Sequence, residues 1–236
     1  MGQSEVTGSR SDPVSVMKRK LAIGLIVFAI ILFGSAGRMD WWMGWVYFGV
    51  ILLFSVATTY FILQRDSEYA AERIGIRPDS KRWDVVLAAL SASILPMVTA
   101  LVAGLDMRFG WTGLVDFWLQ LGALIVMVFG QALIFWAMAV NRFFSAVVRI
   151  QEDRGHSVVA AGPYRFVRHP GYAGLVLFTM STPLILGSIW AYLPAAAVVV
   201  LTLVRTALED RTLRRELNDY VEYTHRVRFR LLPGVW

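Results

Sequence analysis

The chain has 236 residues, of which 57% are hydrophobic and 17% are Asp, Glu, Lys or Arg, with a formal net charge of +6. A soluble domain carries about 25% charged residues, so the deficit points to a membrane protein. The absence of cysteine excludes disulfides, thiol catalysis and zinc held by thiolates. Long apolar spans separate the basic residues, so the positive charge does not indicate a nucleic-acid partner.

The first seventeen residues are polar and unpatterned and read as a flexible lead. Lys18, Arg19 and Lys20 then precede an apolar run with no small-x-small cleavage site after it, which is the pattern of a retained helix. Apolar segments follow at about 21–37, 41–63, 83–105 and 114–140, each long enough to cross a hydrocarbon core of about 30 Å as a helix. Between the second and third, residues 64–82 alternate charges with Tyr69, Ile74 and Ile76 before Pro78, the pattern of a short interfacial helix ending near Arg77.

Residues 141–170 read NRFFSAVVRIQEDRGHSVVAAGPYRFVRHP. Gly155 and Gly162 permit turns, and Pro163 and Pro170 restrict the chain on either side of Tyr164–His169. A stretch of 34 uncharged residues, Gly171 to Val204, comes next; Pro183, Gly187 and Pro194 suit a helical hairpin turning near Leu186–Tyr192. The alternative is one span with a re-entrant segment. Residues 205–236 return to a polar, arginine-rich pattern in which Leu208, Leu213, Leu217 and Tyr220 form the stripe of an amphipathic helix continuing from the last span.

Six spans place every Lys and Arg except Arg38 and Arg108 on one side, whereas five would strand the C-terminal arginines opposite the rest. By the positive-inside tendency that side is cytosolic, with both termini on it. The expected architecture is all-α and polytopic, with about six transmembrane helices: a lead at 1–17, four helices at 18–140, and a region at 141–236 whose two polar segments share an aqueous face.

Those two segments carry the chemistry. Arg165, Arg168 and His169 form either a positive collar on anionic lipid, with Tyr164 and Tyr172 as interfacial belt residues, or a site where aromatic faces and a guanidinium meet a ligand bearing a cation and a carboxylate. Glu209 and Asp210 lie where the apolar span meets the polar face. They either pair with Arg205, Arg211 or Arg214, or accept hydrogen bonds from a ligand ammonium or hydroxyl. Arg205 lies at the same boundary, where the charge-free stretch ends.

The order GPYR-x-VRHP-x-Y, apolar hairpin, R-x-x-x-E-[ED]-x-x-L and a later Y-x-x-Y ending in LLP resembles the isoprenylcysteine carboxyl methyltransferase and phospholipid methyltransferase superfamily. The likeness covers residues 141–236. It implies an S-adenosyl-L-methionine site facing the cytosol, with Tyr164, Arg168, His169, Pro170, Tyr172, Glu209 and Asp210 at or near the cofactor and Arg205, Glu209 and His169 serving catalysis without a metal. Asp210 stands where the family usually has a second glutamate. The resemblance further implies a lipophilic or prenylated acceptor reached from the membrane, O-methylated on a carboxylate or, alternatively, N-methylated as a lipid amine; a nicotinamide-dependent membrane reductase and a non-enzymatic membrane protein are the other readings. A bacterial cytoplasmic membrane is the expected location, or the endoplasmic reticulum in a eukaryote.

Overall fold

The computed structural model describes residues 13–65 and 77–236, and every regular element among them is helical. Helix α1 (Pro13–Ala36) includes the last five residues of the expected lead and is followed by α2 (Trp42–Leu63). Helix α3 (Arg82–Ala89) passes through a π-helical turn, Leu90–Ile94, into α4 (Leu95–Phe109). Then come α5 (Phe117–Val140), α6 (Pro170–Ile185), α7 (Tyr192–Glu216) and α8 (Tyr220–Arg226). The core of the interfacial helix expected over 64–82 lies outside the described residues.

Local chemistry fixes the helix ends. Asp116 caps α5, its side chain accepting from the N–H groups of Trp118 and Leu119. Pro170 opens α6 at a position where a missing N–H costs nothing. Pro96 has no N–H to give to the preceding turn, and the rod widens into the π-turn just before it.

Among the described residues, four stretches are long and apolar enough to cross a membrane by length and composition: α2, the α3–α4 rod, α5 and α7. The chain is an integral membrane protein of the polytopic all-α class. The hairpin expected over 171–204 is present as α6 and α7, which pack together. Gly187, at φ 69°, lies in their connection, a conformation that side chains resist. Helix α6 has 16 residues, below what an unassisted crossing needs. Outward-facing Ile26 and Ile30 on α1, Leu53 on α2 and Phe129 on α5 are exposed, as a lipid-facing surface allows.

Helices α1, α2, α4, α5 and α6 share one core around Leu32, Phe33, Tyr47, Ala100, Met127 and Ile185. At one end, buried Asp106 accepts hydrogen bonds from Thr112 and from Ser188, joining the α4–α5 connection to the hairpin turn. Helices α5 and α6 touch backbone to backbone: a Cβ on Gly130 would lie 2.7 Å from the Gly174 carbonyl oxygen, and one on Gly174 would lie 2.5 Å from that of Gly130. This approach seats the site-bearing hairpin on the rest of the bundle.

Gly174→Ala should therefore destabilise the detergent-solubilised protein by about 1–3 kcal/mol through overpacking. Gly122→Ala, also on α5 but with nothing within 4 Å of the added carbon, should leave the thermal midpoint unchanged or slightly raised.

Candidate functional site

The two polar segments meet. Residues Gly162–Arg165 form a 3-10 turn that starts at φ 56°, and a Cβ on Gly162 would press to 2.9 Å from a Val140 methyl. Glycine is thus required there on both counts. Beyond α7 the helix expected to continue breaks at Leu217–Asp219, where Asp219 adopts φ 63°, a conformation Asp tolerates better than most residues. The chain folds back through α8, packing Leu217, Tyr220, Tyr223 and Val227 together. The Arg168 and His169 N–H groups then donate to the carbonyls of Phe229 and Arg230, each at 2.9 Å.

A cavity of about 340 Å³ lies at this junction. Tyr164, Arg168, His169, Tyr172, Arg205 and Glu209 border it, so six of the eight residues expected at the site share one chamber. Ala92 of the π-turn, Ile134, Phe144 and Leu175 supply apolar wall. Pro170 and Asp210 do not border it: Pro170 is buried in the first turn of α6, and Asp210 has no solvent exposure.

Adjacent carboxylates on α7 have different surroundings. Glu209 Oε2 accepts the Tyr172 hydroxyl at 2.6 Å, and its Oε1 is 3.9 Å from His169 Nδ1, whose ring stacks on Tyr172 at 5.9 Å between centroids. Asp210 instead binds Arg168 Nε at 2.7 Å, Tyr220 Oη at 3.0 Å, Arg230 Nε at 3.1 Å and Arg214 Nε at 3.2 Å. Arg168 is held as firmly: its Nη1 donates to the Val227 and Arg228 carbonyls and its Nη2 to Asp210. Arg168 therefore shapes the chamber while its guanidinium nitrogens serve internal partners.

Arg205 forms a bidentate pair with Asp84 of α3, Nε to Oδ1 at 2.7 Å and Nη2 to Oδ2 at 2.9 Å, with its Cζ 5.2 Å from the Tyr172 ring centre. Sequence reasoning missed Asp84. An acidic residue at the start of an apolar span is costly there and carried a signal on that ground.

Around the chamber, burial and then the charges of Arg149, Arg154 and Arg142 push the His156 imidazole down to about 4. The neutral ring accepts the Gln151 N–H at Nδ1, 3.2 Å away, and packs on Phe143. Burial, followed by the Asp210 and Glu209 charges, raises the Tyr220 hydroxyl well above its usual range, so it remains a donor to Asp210.

Below pH 6.5 the unfolded chain protonates His156 before the folded chain does. Its contribution to stability is accordingly complete above pH 6.5 and is lost as pH falls toward 4. Measured as thermal midpoint against pH, the parent should lose stability across that window relative to His156→Gln; parallel curves would contradict a neutral buried ring.

Residues 123–215 match the isoprenylcysteine carboxyl methyltransferase family. The chain is 29% identical over 118 residues to the protein-S-isoprenylcysteine O-methyltransferase of Rattus norvegicus, covering 47% of this chain and 40% of that protein. It is 30% identical to that of Homo sapiens over the same length and shares. Against protein-S-isoprenylcysteine O-methyltransferase B of Arabidopsis thaliana it is 25% identical over 147 residues, 59% of this chain and 69% of that one. The match to the mammalian relatives thus spans two fifths of their length. The family match thus falls on the segment that carries α6, nearly all of α7 and most of the chamber's polar wall.

Proposed function

We propose that this protein transfers a methyl group from S-adenosylmethionine to the carboxylate of a lipid-borne, prenylcysteine-like acceptor at the cytosolic face of a bacterial cytoplasmic membrane. The observation that carries the reading is the composition of one chamber: charged and aromatic motif residues border it together with apolar residues of the span helices α5 and α6 and of the π-turn. Its volume falls in the range of about 300–1,000 Å³ typical of small-molecule sites. The relatives' names, all O-methyltransferases, support the same chemistry.

The residues suit such a donor. Glu209 is 24% exposed and accepts from a phenol rather than a cation at close range, leaving its charge for a ligand ammonium or ribose hydroxyl. The stacked His169 and Tyr172 rings offer π-density to a sulfonium or an adenine. When bound, S-adenosylmethionine supplies a methyl carbon whose bond to sulfur breaks as a bond to the acceptor oxygen forms, leaving a thioether and an ester with no proton to remove. The chain's task is alignment and exclusion of water. Arg205 borders the chamber, and its Nη1 has no hydrogen-bond partner among the described residues, so it can orient the acceptor carboxylate.

The test is equilibrium binding of S-adenosylmethionine to the protein in lipid nanodiscs, with Glu209→Gln as the pair. The variant should insert normally and bind at least tenfold more weakly; equal binding rejects the Glu209 role. Labelled product from a prenylcysteine acid should release methanol on mild base treatment, as an ester does, whereas base-stable label in a lipid amine would favour N-methylation.

Membrane orientation is open to a separate experiment because the chain has no cysteine. Single cysteines at Asp153 and Arg228 should react with an impermeant maleimide from the cytosolic side, and one at Gly113 from the opposite side. Labelling of positions 153 and 228 from opposite sides would overturn the six-crossing topology.

A further inference from the structure

Asp84 lies outside the family-matched segment and has no solvent exposure. Three N–H groups converge on its carboxylate: Arg205 Nε on Oδ1, and Arg205 Nη2 and the Val148 backbone N–H on Oδ2, the last at 2.7 Å. Nη2 donates again to the Ala146 carbonyl at 3.1 Å, and the Lys81 N–H donates to the Val148 carbonyl at 2.9 Å. Ala146 and Val148 both border the chamber. One carboxylate therefore ties α3 to α7 and to the loop that walls the site.

Replacing a buried ion pair by apolar side chains of similar volume is often neutral or stabilising, so stability alone gives Asp84 a weak reason to be there. A rigid planar fork offers another. With Nε and Nη2 clamped and the Tyr172 ring beside the guanidinium, the remaining edge of Arg205, Nη1, is held in one direction beside the chamber.

We infer that Asp84 is a positioning residue for methyl transfer: by gripping Arg205 on two nitrogens, it aims the third at the acceptor carboxylate. This rests on the reading of Arg205 as the acceptor's anchor. Asp84 touches neither the donor nor the acceptor in this arrangement. Its loss should damage use of the acceptor while sparing the donor, whose proposed contacts are Glu209, His169 and Tyr172.

The experiment compares parent, Asp84→Asn, Asp84→Glu and Asp84→Leu/Arg205→Met, reconstituted in nanodiscs with S-adenosylmethionine and a farnesylcysteine acid. In Asp84→Asn, donor affinity should stay within twofold of the parent, while kcat/KM for the acid falls at least tenfold; Asp84→Glu, with its carboxylate, should recover part of the loss. The double variant, which also removes the anchor, should remain folded, bind the donor and turn over no acid; if Asp84→Asn folds poorly, Asp84→Glu carries the test, with donor affinity within twofold of the parent and a lower kcat/KM for the acid. Acid turnover by Asp84→Asn within twofold of the parent, a fall in donor affinity matching the fall in turnover, or acid turnover by the double variant each overturns the inference. A parent that binds donor but methylates only amines removes the acceptor reading itself and this inference with it; an active parent with an indifferent Asp84→Asn removes this inference alone.

Discussion

Asp210 is the constraint on which the chamber end of the molecule depends. A carboxylate with no solvent exposure can remain in a membrane protein only if its lone pairs are filled, and here three guanidiniums and a phenol fill them. Each donor comes from a different stretch: Arg168 from the motif before α6, Arg214 from the next turn of α7, Tyr220 from α8 and Arg230 from the tail. Arg168 bears most of the desolvation, being 3% exposed, whereas Arg214 and Arg230 keep partial contact with water at 43% and 29%. The tail then returns the constraint through its backbone, since the Phe229 and Arg230 carbonyls accept the N–H groups of Arg168 and His169.

What the sequence made legible, and what it concealed, follows from the range over which each interaction acts. Spans are written locally, as some twenty apolar residues in a row, and α2, α5 and the α3–α4 rod lie close to their expected positions. The hairpin turn was legible through Gly187, whose backbone conformation is a local matter. The placement of arginines put the 141–170 and 205–236 segments on one face, and only the family resemblance implied that they meet in one site. The π-turn at Leu90–Ile94 and the break at Leu217–Asp219 were not foreseen: the first follows from where Pro96 falls in a continuous apolar run, and the second from Asp219 accepting a positive φ so that Tyr220 and Tyr223 can pack. The partner of Arg205 was the least legible. Asp84 is 121 positions away, and no pattern within a helix specifies a pair at that distance.

Among the described residues, the fully enclosed carboxylates Asp106, Asp84 and Asp210 are satisfied in two different ways. Asp106 closes its end with neutral donors, Thr112 and Ser188, so a single negative charge is satisfied by hydroxyls and a backbone N–H without a counter-cation among them. At the other end the buried carboxylates Asp84 and Asp210 each meet arginine. Hydroxyl donors suffice to staple a loop to a turn. Guanidiniums supply several donors in a fixed fork, and so Arg168 and Arg205 can each join a buried carboxylate to a backbone carbonyl of another segment.

The contrast between Glu209 and Asp210 comes from helix geometry. Successive residues on an α-helix point about 100° apart, so two neighbouring carboxylates cannot share a face. The turn of α7 that directs Glu209 toward Tyr172 and the chamber directs Asp210 toward Arg168, Tyr220 and the tail. A shorter side chain suits the second position: it is fully enclosed, and an added methylene would have to displace one of its closely packed donors. The shorter of the two neighbouring carboxylates is therefore the one that faces the protein rather than the chamber. Variation at position 210 would act on how the motif and tail are held together, and variation at 209 on what the chamber binds.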